Sequence, residues 1–471
     1  MINVFSRYGE YDSHLFGKAR IRARGWSRGM KITHYCNSFI VVEAGDTIFA
    51  CDPWIGLEDQ NAWATYPIHK DNGELLQRID PDAVYISHLH FDHFDRKTLV
   101  TLANKDVRFV IKTYRDHRLA GRIRELGFTT VDECEPWTEI EISSDLSVTI
   151  VPQDTNNVAG FDADIVYDLD TSIIIRDRRT NEIFYNNVDN PLSVDGFGKV
   201  RAYCLEHFGK GVGICCVPVG AASEFPQCFP KLDRVSEGRR IVNDALENFK
   251  RRMDALKPEA YFFAGGSYVV YGKFGCLNQY IAQPSMDELE RFVDENLDMQ
   301  FIHPEGGRSL TKQGDSWVMS DDFDGARFAS RAEAIAAYKD LAYDYKVVNY
   351  TVDEIRDLFA KARENYFRVL DRMKVEMRWI IDFIVYDDLL LTEKGDIDPA
   401  CEPVLKITLG PHGAPEIIQH LVCHLDSSLF GRLLAGDHIW NQSISGTHII
   451  YEREPNVFMP DVPSSLNFLK A

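Results

Sequence analysis

The sequence predicts an α/β layered domain followed by a smaller C-terminal α+β unit. Short apolar strand candidates alternate with amphipathic helix candidates as far as residue 345, the signature of stacked sheets covered by helices. After Tyr350 the pattern changes to one long helical stripe and then mixed elements. With 471 residues, 45% hydrophobic and 12% aromatic, the chain can bury a large core and is long enough for two or three domains.

The elements follow in order. Residues 1–29, with Arg20, Arg22, Arg24 and Arg28, read as a polar N-terminal arm. Lys31–His34, Phe39–Glu43 and Thr47–Cys51 read as strands, the last two joined by the turn residues Ala44, Gly45 and Asp46. Glu74–Ile79 reads as a short helix and Ala83–Ile86 as a buried strand. Asp95 supplies an N-cap for a helix over Asp95–Asn104, and Gly127 ends another over Arg115–Leu126. Strands are expected at Arg108–Lys112, Leu146–Val151, Ser172–Arg176, Glu182–Asn187 and Ala260–Ala264, with helices at Ile241–Leu256 and Met286–Leu297. In the last part, helices are expected at Thr351–Met377 and Pro415–Ala435 and a strand at Ile444–Glu452. The domain division is therefore 1–29, 30–345 and 346–471.

Charge and cysteine usage narrow the function. Acidic residues outnumber basic ones 72 to 52, a net charge of −20, which disfavours nucleic acid and anionic membranes while leaving room for a local pocket for one small anion. No apolar run reaches the roughly 20 residues of a membrane span. Ten cysteines without a C-x-x-C pair suit reduced thiols in the cytoplasm.

The sharpest motif is Ser87-His88-Leu89-His90-Phe91-Asp92-His93, directly after a strand. In extended backbone His88 and His90 point to the same side, and a turn after them can bring Asp92 and His93 round to the same ion. Three of only 14 histidines fall in this one segment, which argues against a solvated loop of accidental composition.

This motif resembles that of the metallo-β-lactamase superfamily, and the resemblance extends over residues 30–345. It implies an αββα sandwich and a dinuclear metal site. Asp52 matches the strand-end acid of the family's first motif, Asp189 the carboxylate that bridges two metals, and His303 the late histidine. The family's middle histidine is missing: Val148–Ile175 holds no histidine, and Asp154, with Asp162 and Asp164 as alternatives, is the candidate replacement. Site one would then be His88, His90 and an Asp, and site two Asp92, His93 and His303, with Asp189 shared. Such a set of two histidines and a carboxylate suits iron, with zinc and manganese as alternatives.

A narrower resemblance points among the family's activities. Lys31–His34, Asp52-Pro53-Trp54, Val84–His90, Gly220–Ser223 and Leu256-Lys257-Pro258 resemble the catalytic region of CMP-N-acetylneuraminate hydroxylase-like proteins. It implies an oxygenase using two irons and dioxygen on a small polar substrate, amino-sugar or nucleotide-linked, with His34 facing substrate and Asp92 and Asp189 in catalytic roles. A Rieske centre needs a C-x-H before a C-x-x-H. Only Cys204-Leu205-Glu206-His207 has the second spacing, so the electrons come from an external donor or from the substrate, or the chemistry is not oxygenation. The alternative is a metal-dependent hydrolase of an ester, lactone, amide or phosphodiester. Oligomeric state is left open.

Overall fold

The computed structural model describes residues 29–56, 64–66, 75–154, 169–220, 223–265, 268–304, 306–323, 331–413 and 416–471. The arm expected before Gly29 lies outside them, as do Asp162 and Asp164.

Two sheets face each other. The first has eight strands in the order Ser316–Phe323, Arg308–Gln313, Lys31–Cys36, Phe39–Ala44, Thr47–Cys51, Ala83–Tyr85, Arg108–Lys112, Val131–Cys134. The second has seven, in the order Gln300–Ile302, Ala260–Phe262, Ile214–Cys216, Glu182–Asn186, Thr171–Asp177, Leu146–Pro152, Glu139–Glu141. Alternate residues of both sheets fill the space between them; Ile32, Phe49 and Tyr85 meet Ile150, Ile173 and Phe184 in one buried cluster. The opposite face of the first sheet packs on Leu119, Ala120 and Ile123 of the helix Arg118–Glu125. The opposite face of the second packs on the helices Val194–Phe208, Arg234–Leu256 and Met286–Asn296 through Phe197, Val242 and Leu289. This is the αββα sandwich anticipated from the sequence.

Parallel pairing at the centre of each sheet gathers strand ends at one edge. Thr47–Cys51, Ala83–Tyr85 and Arg108–Lys112 run parallel, as do Glu182–Asn186, Ile214–Cys216 and Ala260–Phe262. The loops leaving these ends carry Asp52, the histidine motif and Asp189, so chemistry collects at the carboxyl edge of the sandwich.

The C-terminal unit is a four-stranded sheet, Leu405–Leu409, Trp379–Tyr386, Gln419–Asp426, Ile450–Glu454, under the helices Val352–Met373 and Ser427–Ala435. Thr351 caps the long helix in a full capping box with Glu354, and Lys374 ends it in the left-handed region. Two sequence assignments change here. Pro415–Ala435 divides into the strand Gln419–Asp426 and the helix Ser427–Ala435, because the first part alternates Gln419, Leu421 and Cys423 inward with His420 outward and pairs along its full length with Trp379–Tyr386. Ile444–Glu452 opens as the end of the helix Trp440–Ser445, and its strand is Ile450–Glu454.

This unit shares a core with the sandwich. Trp54, Phe229, Tyr271 and Phe274 lie in one apolar cluster with Phe359, Phe383, Phe430 and Trp440. Buried Arg234 crosses the junction to the Asp396 carboxylate and the Lys394 and Gly395 carbonyls. Lys273 likewise reaches Asp426 and Asp388.

Two predictions follow from this packing. A methyl added at Gly431 would overlap the Tyr350 ring down to its Cγ, so the whole ring would have to shift rather than a flexible tip. Gly431→Ala should therefore destabilise by about 1–3 kcal/mol, seen as a lower denaturant midpoint at unchanged slope. Buried His438 and His448 are both held neutral: burial, with Arg432 nearby, takes His438 from 6.5 down to about 3, and burial beside His438 and Lys273 lowers His448 as well. The unfolded chain binds these protons as pH falls below 6.5 while the native protein does not, so stability drops in that window. His438→Leu should lose less stability than the native protein between pH 7 and pH 5 in paired denaturant titrations.

Candidate metal centre

Asp52 organises the site. It sits fully buried just past the strand Thr47–Cys51 at φ +41°, a left-handed conformation that a non-glycine residue adopts only under structural constraint. Its Oδ1 accepts the Ser87 backbone N–H at 2.7 Å, and its Oδ2 accepts the Ser87 hydroxyl at 2.6 Å and His93 Nδ1–H at 3.0 Å. Since the Ser87 hydroxyl donates to Asp52, its oxygen is left to accept His88 Nδ1–H, at 2.9 Å. Both histidines thus carry a proton on Nδ1 and turn Nε2 toward their neighbours, His88 toward His90 and His93 toward Asp189. Such orientation through the far ring nitrogen is what metal-ligating histidines need.

The turn after His90 behaves as the motif's spacing suggests. The His93 and Phe94 N–H groups both bond back to the His90 carbonyl, which swings Asp92 and His93 round beside His88. The rings of His88 and His93 lie 4.2 Å apart between centroids, and those of His88 and His90 4.5 Å. His88 Nε2 is 2.8 Å from His90 Nδ1, and His93 Nε2 is 3.2 Å from Asp189 Oδ2 and 3.6 Å from Asp92 Oδ2.

From the second sheet, Asp189 follows Val188, a β-branched residue held at φ +51°. Asp170 immediately precedes the strand Thr171–Asp177, and Thr171 Oγ1 donates to the Ser87 carbonyl at 2.8 Å, locking Asp170 against the histidine loop. The result is two groups of potential ligands that share His88: His88, His93 and Asp189, and His88, His90 and Asp170.

The charges explain why cations fit. Asp52, Asp92, Asp170 and Asp189 converge on three histidines. The Nε2 lone pair of a neutral His93 would face two carboxylates, which is repulsive unless a proton or a metal stands between. With no metal present the proton takes that place: burial alone would lower the His93 pKa, but Asp92, Asp189 and Asp52 together push it well above 6.5. His88, lacking an equally close carboxylate, is driven well below 6.5 by burial and by His93 and His90. Burial raises Asp170 to about 6 and raises Asp92, whereas at Asp189 burial, the largest single effect, is more than offset by the charge and hydrogen bond of His93 together with His90, and the net shift is downward. Asp170 Oδ1 is buried without a hydrogen-bond donor among the described residues, 3.7 Å from His88 Nε2. Orphaned oxygen, aimed imidazoles and excess negative charge together form a donor set suited to divalent ions.

Three sequence candidates sit elsewhere. Asp154 is not at the cluster: both its oxygens are engaged by Ser193, accepting the backbone N–H and the hydroxyl at 2.7 Å each, where Ser193 caps the helix Val194–Phe208. Asp170 occupies the position sought for it. His303 lies exposed beyond the strand Gln300–Ile302, near His34 and outside both triads. That strand is three places from Glu182–Asn186, which delivers Asp189, a separation of about 14 Å in the sheet. His34 does not line the cleft. Burial lowers it to about 4, and its neutral Nε2–H donates to the Asn37 carbonyl at 2.9 Å, so it positions Asn37, which does line the cleft. Asp170 escaped sequence reasoning because it precedes a strand instead of ending one; the signal was the Asp168-Leu169-Asp170 pair ahead of Ser172–Arg176.

These assignments separate by mutation. Asp170→Ala should lower bound metal per chain, while Asp154→Ala should leave metal content intact and cost about 0.5–2 kcal/mol of stability through the lost support of the Ser193 cap. Asp52→Asn should weaken metal affinity by about 10–100-fold in a chelator competition, although it touches no ion.

Comparison with known proteins places this geometry. A model of the β-lactamase superfamily domain matches residues 47–185. A Mycolicibacterium smegmatis protein, provisionally named a Rieske 2Fe-2S iron-sulfur protein, is 28% identical over 189 residues, 38% of this chain and 34% of its own. The cytidine monophosphate-N-acetylneuraminic acid hydroxylase of Asterias rubens is 34% identical over 79 residues, 16% of this chain and 12% of its own. The matches thus span about a third or less of either relative. Among solved structures, CmlA, a diiron β-hydroxylase from Streptomyces venezuelae, aligns at TM-score 0.39 and 17% identity, covering 58% of this chain and 53% of that one. The isothiocyanate hydrolase from Delia radicum gut bacteria aligns at TM-score 0.40 and 17% identity, covering 60% and 99%. The domain match covers less than a third of the chain, and with the sheet order and the histidine loop at the carboxyl edge it agrees with a metallo-β-lactamase fold for the sandwich.

Proposed function

We propose that this protein is a dinuclear non-haem iron oxygenase that hydroxylates or oxidises a small polar substrate. One observation carries the reading: two groups of two histidines and one carboxylate overlap at His88, whose single free nitrogen serves one ion with His90 and Asp170, leaving His93, Asp189 and the nearby Asp92 for the other, so that Asp170 supplies oxygen where an all-histidine site would supply nitrogen. That composition is the preference of ferrous iron, which leaves open positions for a second reactant. Two irons held there would supply binding and activation of dioxygen.

The chain's own groups do the rest. Ser87 and Asp52 hold the His88 and His93 rings so that each presents Nε2. Thr171 and Tyr114 both donate to the Ser87 carbonyl and stiffen the loop from behind. Asp189 is the group presented to solvent: its side chain is 42% exposed, against 16% for Asp92 and 17% for Asp170, so it faces whatever occupies the cleft. Hydroxylation consumes two electrons and two protons beyond the substrate for each dioxygen reduced, which calls for an external donor.

The exposed Asp189 carboxylate also favours a second reading, metal-dependent hydrolysis, because it could orient an attacking water. Metal analysis of protein purified without added metal separates the two. About two irons per chain, with oxygen uptake that depends on added reductant, is the expected result. Zinc in the site, with turnover of ester or phosphodiester substrates under anaerobic conditions, would replace the oxygenase reading with the hydrolytic one.

A further inference from the structure

The metal centre opens into a cleft of about 1020 Å³ whose walls come from both halves of the chain. His90, Asp92, His93, Asp170 and Asp189 form one end, and the helices Arg234–Leu256 and Trp440–Ser445 contribute further along. A volume this large exceeds what a metal and dioxygen require and suits a small organic molecule.

One cation in this wall stands out. The other basic residues of the helix Arg234–Leu256 have polar partners: Arg234 with Asp396, Arg239 with Glu288, Arg240 with Glu237 and Asp244, Lys250 with Asp254, and Arg251 with Asn248. Arg252 has none among the described residues. It is half-buried, lies over the Phe197 ring with Cζ 5.6 Å from the centroid, and lines the cleft. Burial lowers its pKa, with no carboxylate to offset the effect. In a chain of net charge −20, a part-buried guanidinium with no acid bonded to it among the described residues is costly unless a further group completes it.

The second observation lies in the other wall. Gln442 is 5% exposed, lines the same cleft, and its Nε2 has no acceptor among the described residues. Buried amides are normally satisfied, so this donor is available to a ligand.

We infer that the cleft binds an organic anion, its carboxylate or phosphate group seated on the Arg252 guanidinium and an oxygen elsewhere in the molecule accepting from Gln442. The inference rests on the preceding reading in taking this cleft as the substrate site. Arg252 offers the two-pronged donor geometry that both anionic groups match, and Phe197 holds the fork flat. Gln442 makes the C-terminal unit part of the specificity of the site.

The test labels arginine side chains of the metal-loaded full-length protein with phenylglyoxal and follows each site by mass spectrometry, with inorganic phosphate in one arm and succinate in the other. Phosphate or succinate at ten times its Kd should slow modification of Arg252 about tenfold and leave exposed Arg251 unchanged. The protecting arm tells phosphoryl from carboxyl recognition. Arg252→Lys keeps charge and packing while losing the fork, and should weaken the protecting anion's affinity about tenfold or more in a direct titration, with bound metal unchanged. Metal bound but Arg252 unprotected in both arms, or Arg251 slowed equally, would overturn the inference and leave the metal reading standing. Arg252 protected in a protein that binds no iron would do the reverse.

Discussion

The buried Asp52 carboxylate is the constraint on which the metal centre depends. Its desolvation is compensated by three hydrogen bonds, and each of those donors belongs to the histidine loop. The same bonds that make a buried charge tolerable therefore fix the tautomers of His88 and His93. A neutral residue at this position would remove both the cost and the reason for Ser87 and His93 to hold their orientations. The left-handed backbone at Asp52 fits this view, since the three bonds outweigh a local strain of about 1–3 kcal/mol.

The second sheet completes the site by a different route. Thr171 ties the first residue of its strand to the Ser87 carbonyl, and Tyr85, from the first sheet, bonds the same hydroxyl at 2.6 Å. These contacts sit at the top of the core, where Tyr85 and Ile173 belong to one packed cluster. Sheet-to-sheet packing thus sets the distance between the histidines and the acids Asp170 and Asp189. A close-packed interior resists sub-ångström adjustment, so the spacing of the ligands is a property of the whole sandwich rather than of the loops alone.

Much of this was legible in the sequence, and the boundary of legibility has a physical basis. Period-two strands, the turn at Gly45, the Asp95 cap and the clustered histidines are local signals, and the structure carries each of them. What local signals lack is which strand ends share an edge. Asp154 and Asp170 stand at neighbouring strand ends, since Thr171 pairs with Pro152, so only the direction of the two side chains decides between them. Ser193, thirty-nine residues further on, claims Asp154, and no spacing rule could anticipate that. His303 fails for the same reason in another form: its motif reads well, but sheet order carries it away from Asp189. The Pro415–Ala435 stretch shows the ambiguity of a short apolar run, which parallel pairing with Trp379–Tyr386 resolves as a strand.

The junction between the C-terminal unit and the sandwich decides whether that unit can act as a lid. A lid that opens needs a weak junction, whereas this one buries Arg234 and Lys273 in charged bonds and runs an apolar cluster from Trp54 through Phe229 to Trp440. Separating the halves would expose that cluster and leave the Asp426 carboxylate, 1% exposed, without its lysine. The wall carrying Gln442 is therefore pre-formed, and the cleft selects its ligand through a standing shape. Two acids that reach solvent, Asp189 and Asp244, border the same cleft. An anion bound as inferred would turn its charged end from these acids toward Arg252 and its neutral end toward the histidine loop.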